Sequence, residues 1–87
     1  MNILLITSDQ QRWNCLGRLS PEIHTPNLDR LADRGVLFER AYTVNPVCTP
    51  SRCSIITSEY PSKHGCFHVG TSLPEEYGPT VAHRFSD

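Results

Sequence analysis

The hydrophobic and polar positions fall into short blocks that read as alternating strands and helices. Residues 3–7, Ile3-Leu4-Leu5-Ile6-Thr7, form a continuous apolar run that stops at Ser8-Asp9-Gln10-Gln11. So short a run, with β-branched residues in it, predicts a buried parallel strand, and a buried helix turn is the competing reading. Ser20-Pro21 and Thr25-Pro26 punctuate a loop. Thr25 as N-cap and Pro26 at the first helical position then predict a helix. Its apolar face is Leu28, Leu31 and Ala32, with Asp29, Arg30, Asp33 and Arg34 on the solvated side and Gly35 as the stop. Residues 36–44, with Phe38 and Tyr42, read as a second strand.

Asn45-Pro46 opens a loop that carries Cys48, after which Thr49 can cap and Pro50 can start a helix through Thr57. Tyr60-Pro61 ends it. Residues 62–78 are rich in Gly, Pro and Ser and read as surface loop, and residues 80–85 as the opening of another helix. A strand, helix, strand, helix order predicts an α/β fold with a parallel sheet flanked by helices. Two strands cannot build a sheet buried on both faces. The expectation is an N-terminal portion of a larger α/β protein, residues 1–87, incomplete as given.

Composition narrows the class. The chain has 87 residues, 38% of them hydrophobic, which is little for a self-sufficient core at this size. The net charge is -1 with no block of like charges, so neither nucleic acid nor an anionic membrane surface is an expected partner. No apolar run reaches the length of a membrane span. Met1-Asn2 leads directly into the first apolar run with no basic region before it, so a cytoplasmic protein without a signal peptide is expected. The four cysteines, at 15, 48, 53 and 66, are then expected as free or modified thiols more than as two disulfides.

Three constellations carry chemistry. Asp9 follows the first predicted strand, and active sites of open α/β sheets gather at that edge. With Gln10 it offers oxygen ligands to a hard cation such as Ca²⁺ or Mg²⁺; a turn-capping Asp9 beside an exposed Gln10 is the plainer reading. Cys48 stands at the start of a helix whose free N–H groups suit an oxyanion, with Arg52 four residues on. A nucleophile meeting a bound tetrahedral anion and a buried structural cysteine stand level there. Third, Cys48-x4-Cys53 followed by His64-x3-His68 approaches a Cys2His2 zinc spacing, and a small zinc-binding module is the rival from another class. Its middle spacer is short, and Pro50 sits where a finger needs a knuckle. Cys15 and Cys66 have no partner pattern and read as small thiols.

The residues also resemble a known family. Thr25-Pro-Asn-Leu-Asp-Arg-Leu-Ala-Asp-Arg-Gly35, then Ala41-Tyr42, Asn45-Pro-Val-Cys-Thr-Pro-Ser-Arg52, Tyr60-Pro61 and His64-Gly65, look like the N-terminal part of a type I sulfatase. The likeness runs from Ile3 to the end of the chain, and its Cys-x-Pro-x-Arg core is specific. It implies an alkaline phosphatase-like α/β/α sandwich. Cys48 would be the cysteine that a maturation enzyme oxidises to formylglycine, with Pro50 and Arg52 completing that enzyme's recognition core. Arg52 would steady the formylglycine. Asp9, Gln10 and the modified Cys48 would hold a divalent cation, commonly Ca²⁺, with Mg²⁺ or Mn²⁺ as alternatives. The implied mechanism is covalent. One hydroxyl of the hydrated aldehyde attacks sulfur and expels the alcohol. The other loses its proton, the aldehyde re-forms and sulfate leaves. Gln10 stands where many members carry a second aspartate, and this also resembles the phosphonate and phosphate ester hydrolases of the same scaffold. Ser58 replaces a usual glycine, with helix termination the expected effect. The remaining cation ligands and acid–base residues would lie beyond residue 87. The segment alone is therefore expected to be inactive and to fold poorly. His68 and His83 are expected at the surface.

Overall fold

The computed structural model describes residues 2–86 and divides into two compact units, Met1–Ala41 and Tyr42–Asp87. Helices are the only regular elements among the described residues. None of them is long and apolar enough to cross a membrane.

The first unit is organised around α1, Pro26–Arg34, nine residues starting on the expected proline. Thr25 takes the N-cap position, but its hydroxyl does not cap the helix. It accepts the Gly17 amide at 2.8 Å and donates to Asp29 Oδ1 at 3.0 Å. The Asp29 carboxylate also accepts the Arg18 amide at 3.2 Å, so this first-turn acid is half-buried where the sequence pattern set it on the solvated face. It serves the loop amide of Arg18 and the Thr25 hydroxyl as well as the positive end of its own helix. Arg18 reaches one turn along the helix to pair with Asp33. The close approach explains Gly17: a Cβ there would run into the Asp29 carboxylate and lie 2.9 Å from the Ile23 carbonyl. Gly35 ends the helix with its N–H 3.4 Å from the Ala32 carbonyl, without the left-handed turn usual at such a stop. Leu16, Leu28, Leu31, Ala32, Val36 and Leu37 line an open groove of about 260 Å³ beside it.

The two expected strands, residues 3–7 and 36–44, are not formed among the described residues. Ile3, Leu4, Leu5 and Ile6 are 72, 84, 68 and 79% exposed. A strand is defined by a ladder partner, and an apolar run without one stays extended and wet. The parallel sheet drawn from the pattern is thus absent from the described residues.

The second unit carries α2, Cys48–Thr57, α3, Pro61–His64, and α4, Val81–Arg84. The short α3 occupies the start of what the sequence marked as surface loop. Helix α2 packs on α3 and α4. Pro50, Cys53, Pro61, His64 and Cys66 are the buried side chains of this unit among the described residues. Ser58 closes α2 at φ 58°, and Gly65 closes α3 at φ 77°. Both are left-handed caps, where glycine is the least strained residue. Ser58 therefore carries backbone strain where glycine would not, at the helix end where the sequence reading expected its effect. At α4 the Thr80 amide donates to His83 Nδ1 at 3.1 Å, and its Oγ1 lies 2.9 Å from the same nitrogen. His83 is exposed, as expected, and braces the helix start.

Candidate active site

Helix α2 begins two residues earlier than the sequence pattern indicated, and this sets the position of Cys48. Val47 is extended, at φ -97° and ψ 140°, and its amide is taken by Asn45 Oδ1 at 2.8 Å. With that donor satisfied, the chain turns helical at once, and the Ser51 amide bonds the Val47 carbonyl at 3.1 Å. The Thr43 hydroxyl donates to the Asn45 carbonyl at 3.0 Å and so accepts from the Ser51 hydroxyl at 2.8 Å. Thr43, Asn45 and Ser51 thus fix the loop that delivers Cys48. Thr49 lies inside the helix and does not cap it.

Cys48 is the first residue of α2 and is exposed, with Sγ 4.0 Å from Thr49 Oγ1. Pro50 is fully buried and brings no N–H. The amides of Cys48 and Thr49 therefore hold the open, positive end of the helix. Arg52 is four residues on, hence on the same face one turn along, and exposed. Nucleophile-class sulfur and the helix amides thus sit together at the head of α2, with Arg52 on the same helix face.

Asp9 and Gln10 belong to the first unit, both exposed, at the end of an extended segment and not of a strand. Gln10 is held at φ 51°. A left-handed non-glycine residue is uncommon and strained, and such residues concentrate at functional positions. Ser8 Oγ donates to Gln11 Oε1 at 2.7 Å, and Gln11 Nε2 to the Cys15 carbonyl at 3.1 Å, which ties down the turn that carries them. Asp9 and Gln10 offer oxygen donors only, side by side and exposed, and this fits a hard divalent cation.

The Cys2His2 set drawn from spacing is not assembled. Cys48 and Cys53 are five residues apart on one helix, about 140° around its axis, and so point to different sides. Cys48 and His68 are exposed. Cys53, His64 and Cys66 instead converge, with ligand atoms within 4.8 Å of one another and all three residues buried. The sequence reading passed over Cys66, although His64-Gly65-Cys66 was the available signal. The Cys53 thiol is pushed up from its ordinary value by burial first, then by its hydrogen bond to Cys66 and the charge there. Nearby, Tyr77 donates its hydroxyl to Glu59, which also pairs with Lys63. Lys63 first, and then Tyr77, hold the Glu59 carboxyl below the usual range. The same bond raises the Tyr77 phenol to about 12.

Comparison with known proteins supplies the family. The sulfatase family profile matches residues 1–84. The chain is 39% identical over 79 residues to the human N-acetylgalactosamine-6-sulfatase, covering 90% of this chain and 15% of that protein. It is 44% identical over 86 residues to an arylsulfatase of Clostridium perfringens, covering 98% of this chain and 18% of that one. An ulvan-active sulfatase of Formosa agariphila is 45% identical over 76 residues, 86% of this chain and 15% of its own length. No solved structure matches. The chain thus spans 15–18% of the length of these relatives. With a family match over residues 1–84 and the Cys48-x-Pro50-x-Arg52 surface at the head of α2, this chain belongs to the sulfatase family.

Proposed function

We propose that this chain contributes part of the active site of a sulfuric ester hydrolase. The observation that carries the reading is Cys48 at the first position of α2 with Arg52 one turn along the same face. The family uses a formylglycine and a divalent cation, and it implies an alkaline phosphatase-like α/β/α fold. In this chain Cys48 is the residue that a maturation enzyme converts, and its exposure leaves the thiol accessible. Converted, position 48 supplies an aldehyde-derived oxygen nucleophile. The amides of Cys48 and Thr49 and the Arg52 guanidinium hold the negative oxygens of the ester and oppose charge build-up during attack. Asp9 and Gln10 would hold the cation, which adds charge stabilisation and orientation. Their all-oxygen donor set favours Ca²⁺, with Mg²⁺ or Mn²⁺ as the other hard ions. The substrate class is a small-molecule sulfate ester. Gln10 lowers the charge of the cation site and keeps phosphonate or phosphate esters as the second substrate class.

Peptide mass spectrometry across residues 41–63 of the native polypeptide tests this. An aldehyde at position 48, trapped by a hydrazine reagent, is expected, and C48A is expected to bring aryl sulfate turnover to background. An unmodified thiol in cells that mature such proteins, or turnover retained by C48A, would sink the proposal. A paired sulfate and phosphonate assay ranks the two substrate classes.

A further inference from the structure

We propose that Cys53, His64 and Cys66 form a second metal site, for a soft or borderline cation of the Zn²⁺ type, separate from the surface that carries Cys48. Two thiols and an imidazole are the donor set such cations select over Ca²⁺ or Mg²⁺. The three ligand atoms lie within 4.8 Å of one another. A tetrahedral zinc centre needs roughly 3.5–3.8 Å between such atoms, so side-chain rotations of about 1 Å close the site. Cys53, His64 and Cys66 are 8, 4 and 1% exposed, so the three protein ligands themselves are shielded from bulk solvent.

The local structure brings them together. Cys53 projects from α2, His64 is the last residue of α3, and the left-handed Gly65 folds Cys66 back beside it. His64 Nδ1 accepts the Cys66 amide at 3.1 Å, so Nε2 carries the ring proton and donates to Ser54 Oγ at 2.9 Å. A cation on Nδ1 replaces that single amide contact and keeps the Nε2–H bond to Ser54, which holds the ring in place as metal-bound imidazoles require. Burial leaves the Cys53 thiol protonated without metal. Binding therefore releases thiol protons to solvent, and affinity rises with pH. Three protein ligands leave the fourth position to water. The site does not depend on the activity proposed above.

The test uses the native polypeptide, reduced and metal-free, with excess Ca²⁺ to saturate the oxygen-donor site. One equivalent of Co²⁺ should give a thiolate-to-cobalt charge-transfer band and the visible bands of a four-coordinate ion, both abolished by Zn²⁺. C53S and C66S should each weaken or remove the charge-transfer band, whereas C48S should keep it. In the unsubstituted protein, Zn²⁺ at ten times its dissociation constant should slow alkylation of Cys53 and Cys66 about tenfold, with Cys15 unaffected. The proposal is overturned by no band at one equivalent, or by a band that C53S and C66S retain. Alkylation indifferent to zinc, or a Cys53–Cys66 disulfide in the native protein, overturns it equally.

Discussion

Replacing Gly65 by alanine isolates the backbone term that joins α3 to the buried cysteine–histidine cluster. Gly65 sits at φ 77°, ψ -2°, and its amide bonds the Pro61 carbonyl at 2.9 Å. A Cβ built there meets nothing within 4 Å, so alanine brings no clash. What remains is the left-handed conformation itself, about 1–2 kcal/mol for an L-residue, less for asparagine. That corresponds to roughly a 5- to 30-fold rise in the local opening equilibrium. Hydrogen exchange of the His64, Gly65 and Cys66 amides in the native polypeptide, resolved by mass spectrometry, should accelerate by that factor in G65A and by less in G65N. Gly78 is the control, since it too meets nothing within 4 Å and its φ is not positive. G78A should therefore leave exchange unchanged. Equal effects of G65A and G78A, or no effect of G65A, would refute the conformational origin. A loss above about 3 kcal/mol would do so as well, because packing failure and not backbone strain gives that size.

Two further outcomes follow from the local geometry. G17A drives a methyl into the Asp29 carboxylate and toward the Ile23 carbonyl, and should destabilise the first unit by about 1–3 kcal/mol, read as faster exchange of the α1 amides. The Glu59–Tyr77 pair predicts a stability plateau with two shoulders. Glu59 is lowered from 4.5, so its contribution is present above that value and is lost as pH falls through the folded one. Tyr77 is raised from 10.0 to about 12, so its contribution is complete below 10 and is lost as pH rises toward 12. Urea midpoints across this range should show both shoulders in the wild type, with the alkaline one missing in Y77F. An alkaline shoulder that survives Y77F contradicts the assignment.

Helix existence was legible where punctuation was strong. Pro26 opens α1 and Thr80 opens α4, because these residues act through local backbone rules that need no distant partner, whereas Gly35 ends α1 without the left-handed turn its type suggests. Cap chemistry was not legible. Thr25 has the right residue type for an N-cap, yet its hydroxyl serves Gly17 and Asp29, and only their approach in space reveals it. The start of α2 moved for the same reason, since Asn45 and not Thr49 satisfied the entering amide.

The sequence by itself determined the family, whose profile matches residues 1–84. Cys48, Pro50 and Arg52 are recognisable by type and spacing, and helical periodicity puts Cys48 and Arg52 on one face. Tertiary structure alone decided which cysteines meet. Spacing paired Cys48 with Cys53, but a helix turns them about 140° apart. The turn at Gly65 brings Cys66 to Cys53 and His64 instead. It likewise decided that residues 3–7 and 36–44 are not strands among the described residues, because strand formation depends on a partner that residue order cannot supply.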